Sequence, residues 1–225
     1  MPGRKIPLIT NQFYHVLNRG TSLQPTFTSK RGFQRATELM RYYQNKNLPL
    51  RYSQFLVLSN KRRINILENL AKKKEFLVEM ITYCLMPNHF HFLLKQVEKE
   101  GISKFLSNFT NSYTRYFNVR NKRNGPLFQG KFKAIRVETN KQLLHLSRYI
   151  HLNPYSSYIV KNLKDLEEYS YSSLFEYLGK LQAGFCSKDI ILGQFKNINS
   201  YKNFIFDQAD YQRKLERIKH LMLEK

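Results

Sequence analysis

YCLMPNHFHFLL (83–94) joins two apolar runs through a turn signal, Pro87-Asn88. Proline and asparagine are both residues that favour turns. The run before the turn (75–86) is rich in β-branched and aromatic residues, and the run after it (89–97) has the length of a strand. The two runs are therefore predicted to form an antiparallel hairpin with a very short connection.

The second strand of this hairpin carries two histidines in an apolar setting. Side chains along a strand point alternately to its two faces. His89 and His91 are therefore expected on one face, and Phe90 and Phe92 on the other, where a layer of helices would cover them.

Helical and strand patterns surround the hairpin on both sides. The predicted elements are a strand at 11–20, helices at 29–47, 59–74 and 101–121, a strand at 131–138 and a helix at 139–153. Ser29 is the expected N-cap of the first helix, and the last helix is expected to stop before Pro154. The apolar stripe of the second helix is predicted to consist of Ile64, Ile66, Leu67 and Leu70.

The order of these elements predicts the fold class. Strand, helices, hairpin, helix and strand in succession indicate an α+β fold, with an antiparallel β-α-β-β-α-β sheet and helices on one face. Residues 1–160 are predicted to form this domain, and residues 161–225 to form a mostly helical C-terminal extension. No internal repeat interrupts the chain.

Net charge points to a polyanionic partner. The 225 residues include 38 Lys and Arg against 16 Asp and Glu, which gives a net charge of +22. Such an excess costs self-repulsion unless a polyanion binds it. Aromatic residues lie among the cations at 112–123 and 128–136, a pattern that suits phosphates and unpaired bases. Solvated surface charge is the alternative. The predicted DNA-binding residues of the two segments are Arg115, Arg120, Lys122, Arg123, Lys131, Lys133 and Arg136.

Other features exclude several classes of protein. No apolar run reaches the roughly 18 residues of a membrane helix, and no signal peptide is apparent, so a cytoplasmic protein without a membrane partner is predicted. Cys84 and Cys186 are too far apart in sequence for zinc-finger spacing, and two thiols do not make a disulfide framework. Both are predicted to be reduced.

A candidate site can be assembled from two segments. His89 and His91 point the same way and can bind one divalent ion, although two hydrogen-bonded strand histidines would show the same pattern. His145, Tyr149 and Asn153 are spaced four residues apart and share one side of the last core helix. A tyrosine beside an amide oxygen suits a nucleophile next to a metal. Alternatively, Tyr149 only packs and Asn153 only caps the helix.

Six segments in this order resemble the REP-associated tyrosine transposases, which belong to the HUH single-tyrosine transposases of small insertion sequences. They are YHVLNRG (14–20), CLMPNHFHFLL (84–94), GPLFQGKFKA (125–134), YIHLNP (149–154), YSYSSLFEYLG (169–179) and ILGQFKNINSYKNFI (191–205). The resemblance spans nearly the whole chain. A His-hydrophobic-His pattern alone is weak, but the ordered set is specific.

Residue roles follow from the resemblance by position. It implies a ferredoxin-like core, with His89 and His91 as the metal-binding pair and Tyr149 as the nucleophile. Asn153 would be a third ligand to Mg²⁺ or Mn²⁺, at a position where some relatives carry glutamine. His151 is expected to have no catalytic role, because two residues along a helix it points away from Tyr149.

The reaction implied by the resemblance is cleavage and rejoining of single-stranded DNA through a 5′-phosphotyrosine. The substrate would carry a hairpin, which Arg19 would help to read together with Arg4 and Lys5 of the N-terminal segment. Arg148 or Lys133, or the ion itself, would favour the phenolate. The resemblance also suggests a homodimer, and action on bacterial nucleoid DNA in the cytoplasm.

Three alternatives remain open from the sequence. The chain can be a ferredoxin-like RNA endonuclease that leaves no covalent adduct. It can be a domesticated transposase that binds DNA without catalysis. Finally, another tyrosine can be the nucleophile, the nearest competitors being Tyr113, Tyr116 and Tyr155. The first two lie on the predicted core stripe of their helix, and Tyr155 lies beyond Pro154 and is expected to be off the helix.

Overall fold

The computed structural model describes residues 7–181 and 184–223. Arg4 and Lys5 lie outside the described residues. The strands are β1 (Phe13–Arg19), β2 (Val78–Met86), β3 (His89–Gln96) and β4 (Lys133–Val137). The helices are α1 (Lys30–Tyr43), α2 (Tyr52–Leu56), α3 (Asn60–Lys73), α4 (Gly101–Arg120), α5 (Asn140–Ser156), α6 (Leu163–Glu167), α7 (Leu174–Tyr177), α8 (Asp189–Leu192), α9 (Ile198–Phe206) and α10 (Ala209–Leu223).

The four strands form one antiparallel sheet in the order β2-β3-β1-β4. This is the strand order of a ferredoxin-like sheet, so the predicted fold class is confirmed. The strands β1 and β3 are central, since each has a neighbour on both sides. The predicted hairpin is β2 and β3, joined by a turn at Pro87 and Asn88. The site histidines therefore begin a central strand.

The predicted helical layer covers one face of the sheet. Phe90 and Phe92 of β3 point into it and contact Phe109 of α4, with ring centroids 5.5 Å and 5.6 Å apart. Helix α1 packs beside α4 and begins as predicted, because the Ser29 side chain accepts a hydrogen bond from the Gly32 amide. These aromatic contacts pack β3 against the helices, and the histidines lie on the opposite face of the sheet.

Helix α5 lies on the histidine face, outside the β-α-β-β-α-β unit. Its residues Leu143, Ile150 and Leu152 form a second core with Ile81 and Leu93 of the sheet. The helices α9 and α10 pack against α5. The histidine face is therefore only partly open, because α5 and the C-terminal helices cover one part of it.

Residues 171–173 and Ser187 lie along the outer edge of β2. Backbone amides of Leu85, Ser173 and Ser187 take part in hydrogen bonds that pair this edge with the C-terminal segment, at N···O distances of 2.8–2.9 Å. An uncovered strand edge would leave unpaired amide and carbonyl groups. The C-terminal segment thus completes the sheet on this side, while the other edge strand, β4, remains exposed. The predicted boundary near residue 160 stays a prediction.

Two details of the predicted helices are wrong. Helix α5 does not stop before Pro154 but continues to Ser156, with the proline inside it. Proline removes one intrahelical hydrogen bond, and the burial of Tyr155 and Ser156 offsets that loss. On α3, Ile64 is 57% exposed, and only Leu70 of its stripe is fully buried. Fewer residues of α3 are buried in the core than the predicted apolar stripe indicates.

The tip of the hairpin is fixed by the segment that follows β1. The Pro87 carbonyl accepts hydrogen bonds from the amides of Thr26 and Phe27, and the Asn88 carbonyl accepts one from Gly20. A side chain on Gly20 would collide with the carbonyl oxygen of Gln24. These contacts hold the chain in place one residue before His89. Within the described part of the chain, no helix is both long and apolar enough to span a membrane.

Candidate active site

His89 and His91 share one face of β3, as the alternation predicts. Their ring centroids are 5.0 Å apart and the rings are nearly perpendicular. The Nδ1 atom of His89 lies 2.7 Å from Oδ1 of Asn88. An amide oxygen only accepts, so His89 Nδ1 carries the proton in this hydrogen bond. The remaining nitrogen, Nε2, is then the one that can bind an ion.

A third histidine, on β1, joins the pair. His15 pairs with Leu93 in the sheet register and therefore points to the same face as His91. Its Nε2 atom lies 2.9 Å from Nδ1 of His91, and the two rings stack with centroids 5.1 Å apart. No role was predicted for His15. The signal was present, since β1 also alternates and places His15 on one face between the apolar Phe13 and Leu17.

Burial keeps the site histidines neutral. It lowers the pKa of His15 to about 4. The pKa of His89 is also lowered to about 4, chiefly by burial, with a smaller lowering from Arg19, while Glu216 acts in the opposite direction. A metal ligand must be a neutral imidazole. At neutral pH these two histidines are in the form that ligation requires.

Tyr149 lies on α5 against the same face. Its ring centroid is 5.7 Å from that of His91 and 6.2 Å from that of His15, and it meets both rings edge-on. Helix α5 begins at a capping box of Thr139 and Gln142, which sets the position of its first turn. The tyrosine and the histidines, 58 residues apart or more in sequence, are thus brought together.

Asn153 lies one turn beyond Tyr149 and is buried. Its amide nitrogen donates to the Tyr149 carbonyl at 3.0 Å. Gln212 of α10 donates to the same carbonyl at 3.2 Å. Four residues further along α10, Glu216 is close enough to His89 to act on its pKa. Sequence patterns did not single out Gln212 or Glu216, because the docking of α10 on α5 is not visible in local periodicity.

His145, the first residue of the predicted stripe, lies outside this group. It is exposed, and its Nδ1 atom is 2.6 Å from Nη2 of Arg148. The guanidinium of Arg148 lies over the Phe204 ring at 4.5 Å and donates to the Phe204 carbonyl. Both side chains are therefore engaged with each other and with α9. Lys133, the other cation considered for the phenolate, pairs with Leu17, which itself pairs with His91, so it points to the site face.

His151 lies away from the candidate site, and its lack of a catalytic role stays a prediction. It is completely buried on the other side of α5, and burial lowers its pKa to about 3. Its Nε2 atom lies 2.7 Å from Oγ of Ser173, and its Nδ1 atom lies 2.9 Å from the Tyr201 hydroxyl. The histidine therefore links α5 to the C-terminal segment.

The competing tyrosines are engaged elsewhere. The buried Tyr113 hydroxyl donates to the Thr26 carbonyl at 2.9 Å, on the opposite side of the sheet. Tyr116 packs in the same helical layer. Tyr155 is on helix α5, not off it as expected, but its hydroxyl donates to Asp210 at 2.7 Å. That hydrogen bond raises the pKa of Tyr155, which makes it a poorer nucleophile than a tyrosine without it.

The predicted DNA-binding residues divide between the two faces of the sheet. Arg19 pairs with His89 and lies on the site face, as does Lys133. Arg136 pairs with Tyr14 and lies on the helical face, where it donates to Gln12. The remaining predicted residues are in the exposed loop before β4 (Lys131) and in or just after the last turns of α4 (Arg115, Arg120, Lys122 and Arg123).

A basic groove lies on the helical face, away from Tyr149. Arg115 and Arg120 of α4 line it together with Arg31 and Arg35 of α1, and its volume is about 1150 Å³. The Arg35 guanidinium lies 5.1 Å from the centre of the Tyr116 ring. The arrangement mixes cations with aromatic faces, as the sequence pattern predicted, but not next to the candidate nucleophile.

A metal site with three protein ligands can be formed here only if the side-chain amide of Asn153 is one of them. Across residues 7–181 and 184–223, no three His, Cys, Asp or Glu side chains are grouped closely enough to hold an ion. The two imidazoles of His89 and His91 on one face, with Asn153 one turn from Tyr149, supply nitrogen and oxygen donors of the kind divalent ions accept. The residues present therefore fit the predicted ligand set His89, His91 and Asn153, which stays a prediction.

Comparisons with known proteins agree with the resemblance. Residues 51–153 match the family described as transposase IS200-like. The fold is similar to the solved structure of a REP-associated tyrosine transposase bound to a REP hairpin, with a TM-score of 0.50 and 11% sequence identity. That similarity covers 82% of this chain and 89% of the other. A comparison with curated proteins finds no significant match.

Proposed function

We propose, from the match of residues 51–153 to the IS200-like transposase family, that the chain cleaves and rejoins single-stranded DNA through a covalent link to Tyr149. The observation that supports this most directly is the position of the Tyr149 ring, 5.7 Å from that of His91. A tyrosine held beside the imidazoles of His91 and His15 has the surroundings expected of a nucleophile at a metal-assisted phosphoryl-transfer site.

In the proposed step, the Tyr149 oxygen attacks a backbone phosphorus in line with the leaving 3′-oxygen. A bond forms between the tyrosine oxygen and phosphorus, and the bond from phosphorus to the 3′-oxygen breaks. The tyrosine loses its proton, and the departing 3′-oxygen gains one. The product is a 5′-phosphotyrosine, which a later 3′-hydroxyl can attack to release Tyr149 and rejoin the strand.

The proposed ligands of Mg²⁺ or Mn²⁺ are His89, His91 and Asn153. When bound there, a divalent ion supplies positive charge that polarises a non-bridging phosphate oxygen. The protein's own contribution is positional. The sheet holds both imidazoles on one face, α5 holds Tyr149 against His91, and burial keeps His89 neutral.

Cations on the site face would favour the tyrosine in its deprotonated form. An isolated tyrosine has a pKa near 10, so attack at neutral pH needs such help. Lys133 and Arg19 point to this face, whereas the Arg148 guanidinium stacks on Phe204. We therefore assign this role to Lys133 and Arg19 rather than to Arg148.

The proposed substrate is single-stranded DNA with a hairpin next to the cleavage site. The similar solved structure holds a REP hairpin, and this chain is strongly basic. Salt dependence should be steep if many phosphates are contacted. Action on nucleoid DNA in the bacterial cytoplasm is part of this proposal. The homodimer implied by the resemblance stays a prediction, which sedimentation of the full chain would test.

The experiment is an incubation of the pure protein with end-labelled single-stranded DNA from the flanks of its own gene, in Mn²⁺, followed by a denaturing gel. We expect a protein-linked band that is absent with Tyr149→Phe. Tyr155→Phe, a change on the same helix, is the matched control and should keep the band. Fluorescence anisotropy should show unchanged DNA binding in both variants, because only a hydroxyl is removed.

The other outcomes point to the alternatives. A band that persists with Tyr149→Phe overturns the assignment of the nucleophile. Cleavage without any protein-linked band favours an endonuclease. Binding without cleavage, across several flanking oligonucleotides and both metals, favours a DNA-binding protein that has lost catalysis.

A further inference from the structure

His15 directly contacts His91, one of the candidate metal ligands. Its Nε2 atom lies 2.9 Å from Nδ1 of His91. We propose that His15 is a positioning residue, which accepts a hydrogen bond from His91 Nδ1–H and so holds His91 in the tautomer that can bind metal through Nε2. This inference rests on the proposed function, since it assigns His15 a task at that same site.

The hydrogen bond has a direction that matters for ligation. A neutral imidazole has one N–H group and one nitrogen lone pair. If His91 Nδ1 donates, the lone pair of His91 is on Nε2. If His15 donated instead, the proton of His91 would be on Nε2, and that atom would be unable to bind an ion. Metal-binding histidines usually donate their second ring N–H to a protein acceptor, which fixes the ring and its tautomer.

His89 shows the same arrangement two residues earlier. Its Nδ1 atom faces the oxygen of Asn88 at 2.7 Å, and an amide oxygen can only accept. His89 is therefore held with its proton on Nδ1. If His91 also carries its proton on Nδ1, both imidazoles have their lone pair on Nε2. His15 is the residue placed to accept the hydrogen bond from His91 Nδ1–H.

The position of His15 in the sheet makes this contact rigid. It is on central strand β1, between Phe13 and Leu17, which point to the same face. Its ring stacks on that of His91 with an interplanar angle of 23°. A polar ring in an apolar row needs a partner when it is buried, and the register of β1 against β3 brings His91 within reach.

The first measurement is the tautomer of His91 in the metal-free protein, by long-range ¹H–¹⁵N correlation NMR. In the native chain we expect the proton of His91 on Nδ1. His15→Phe keeps a ring in place but removes the acceptor, so His91 should change to a mixture of tautomers. His15→Gln puts an amide oxygen at a similar reach and should restore the native signal. The signals of His89, whose acceptor is Asn88, should stay unchanged in both variants.

The second measurement is Mn²⁺ affinity by electron paramagnetic resonance. Loss of such an outer partner typically weakens metal binding roughly 10–100-fold. We expect a loss in this range for His15→Phe and recovery to within a few-fold of native for His15→Gln. A merely structural role would not distinguish the two variants in this way, provided that their circular dichroism spectra match that of the native chain.

Two results would overturn the inference. One is a native His91 with its proton on Nε2. The other is a His15→Phe variant that folds and keeps both the native tautomer and the native Mn²⁺ affinity. The NMR measurement uses neither DNA nor metal. A native chain that forms no adduct with DNA would therefore count against the proposed function, while the tautomer result would still be readable.

Discussion

Replacing Ser173 by alanine should destabilise the fold through two buried partners. The Ser173 hydroxyl oxygen accepts from the Tyr83 amide at 2.9 Å and lies 2.7 Å from Nε2 of His151. Ser173 is fully buried, and His151 has no exposed surface either. The substitution removes the partner of a strand amide and of an imidazole, and leaves no room for water in a packed core.

The expected loss of folding free energy follows from the two groups that lose their partner, the Tyr83 amide and the His151 imidazole. A buried polar group that loses its partner costs about 1–3 kcal/mol. Two such groups give about 4 kcal/mol, in a range of roughly 2–6. In a chain of this length each kcal/mol lowers the melting temperature by about 2–4 °C. We therefore expect a decrease of about 8–16 °C for Ser173→Ala.

The assay is thermal unfolding followed by circular dichroism, with Ser170→Ala as the matched control. Ser170 is exposed on the same segment, so its substitution should change stability by less than about 0.5 kcal/mol. The reasoning would be refuted if Ser173→Ala melted within 2 °C of the native chain. That result would mean that the network of His151 and Ser173 does not hold α5 to the C-terminal segment.

Three further predictions concern the site and its histidines. The double change His89→Ala and His91→Ala should abolish the Mn²⁺-dependent protein–DNA band and keep DNA binding by anisotropy; undiminished cleavage in excess chelator would contradict the metal site. Asn153→Ala should weaken Mn²⁺ binding, whereas Asn153→Gln, which keeps an amide oxygen, should bind within a few-fold of native; equal losses in both would remove Asn153 from the ligand set. Stability to urea should fall as the pH drops from about 6.5 to 5. His15, His89 and His151 have pKa values lowered to about 4, 4 and 3, so the unfolded chain takes up protons that the folded chain does not. Each contributes about 1.4 kcal/mol per pH unit, and an unfolding midpoint that is flat over this window would contradict their burial as neutral groups.

The helical layer and the hairpin could be predicted because their signals are local. A turn dipeptide between two apolar runs is enough to propose β2 and β3, and alternation is enough to separate the histidines from Phe90 and Phe92. Helical spacing likewise put Tyr149 and Asn153 on one side of α5. Pro154 was misleading for the opposite reason: local preference ends a helix there, but the burial of Tyr155 carries the helix one turn further.

The distribution of charge shows where local patterns stop being informative. The basic and aromatic segments at 112–123 and 128–136 were predicted to bind nucleic acid, but their cations fall on different faces. Alternation alone puts Lys133 and Arg136, three residues apart, on opposite faces. Strand register decides which face each takes: Lys133 pairs with Leu17 and faces the histidines, whereas Arg136 pairs with Tyr14 and faces the helices. A face cannot be assigned until the partner strand is known.

By itself, the sequence determined the elements, their order and the face on which each candidate residue stands within its own strand or helix, because those properties follow from periods of two and of 3.6 residues. Only the tertiary structure decided that α5 brings Tyr149 against the histidines, that His15 meets His91, and that α10 adds Gln212 to the same neighbourhood. These contacts join residues that are more than 50 positions apart in the sequence. They depend on which apolar faces pack together, and no local period in the chain contains that information.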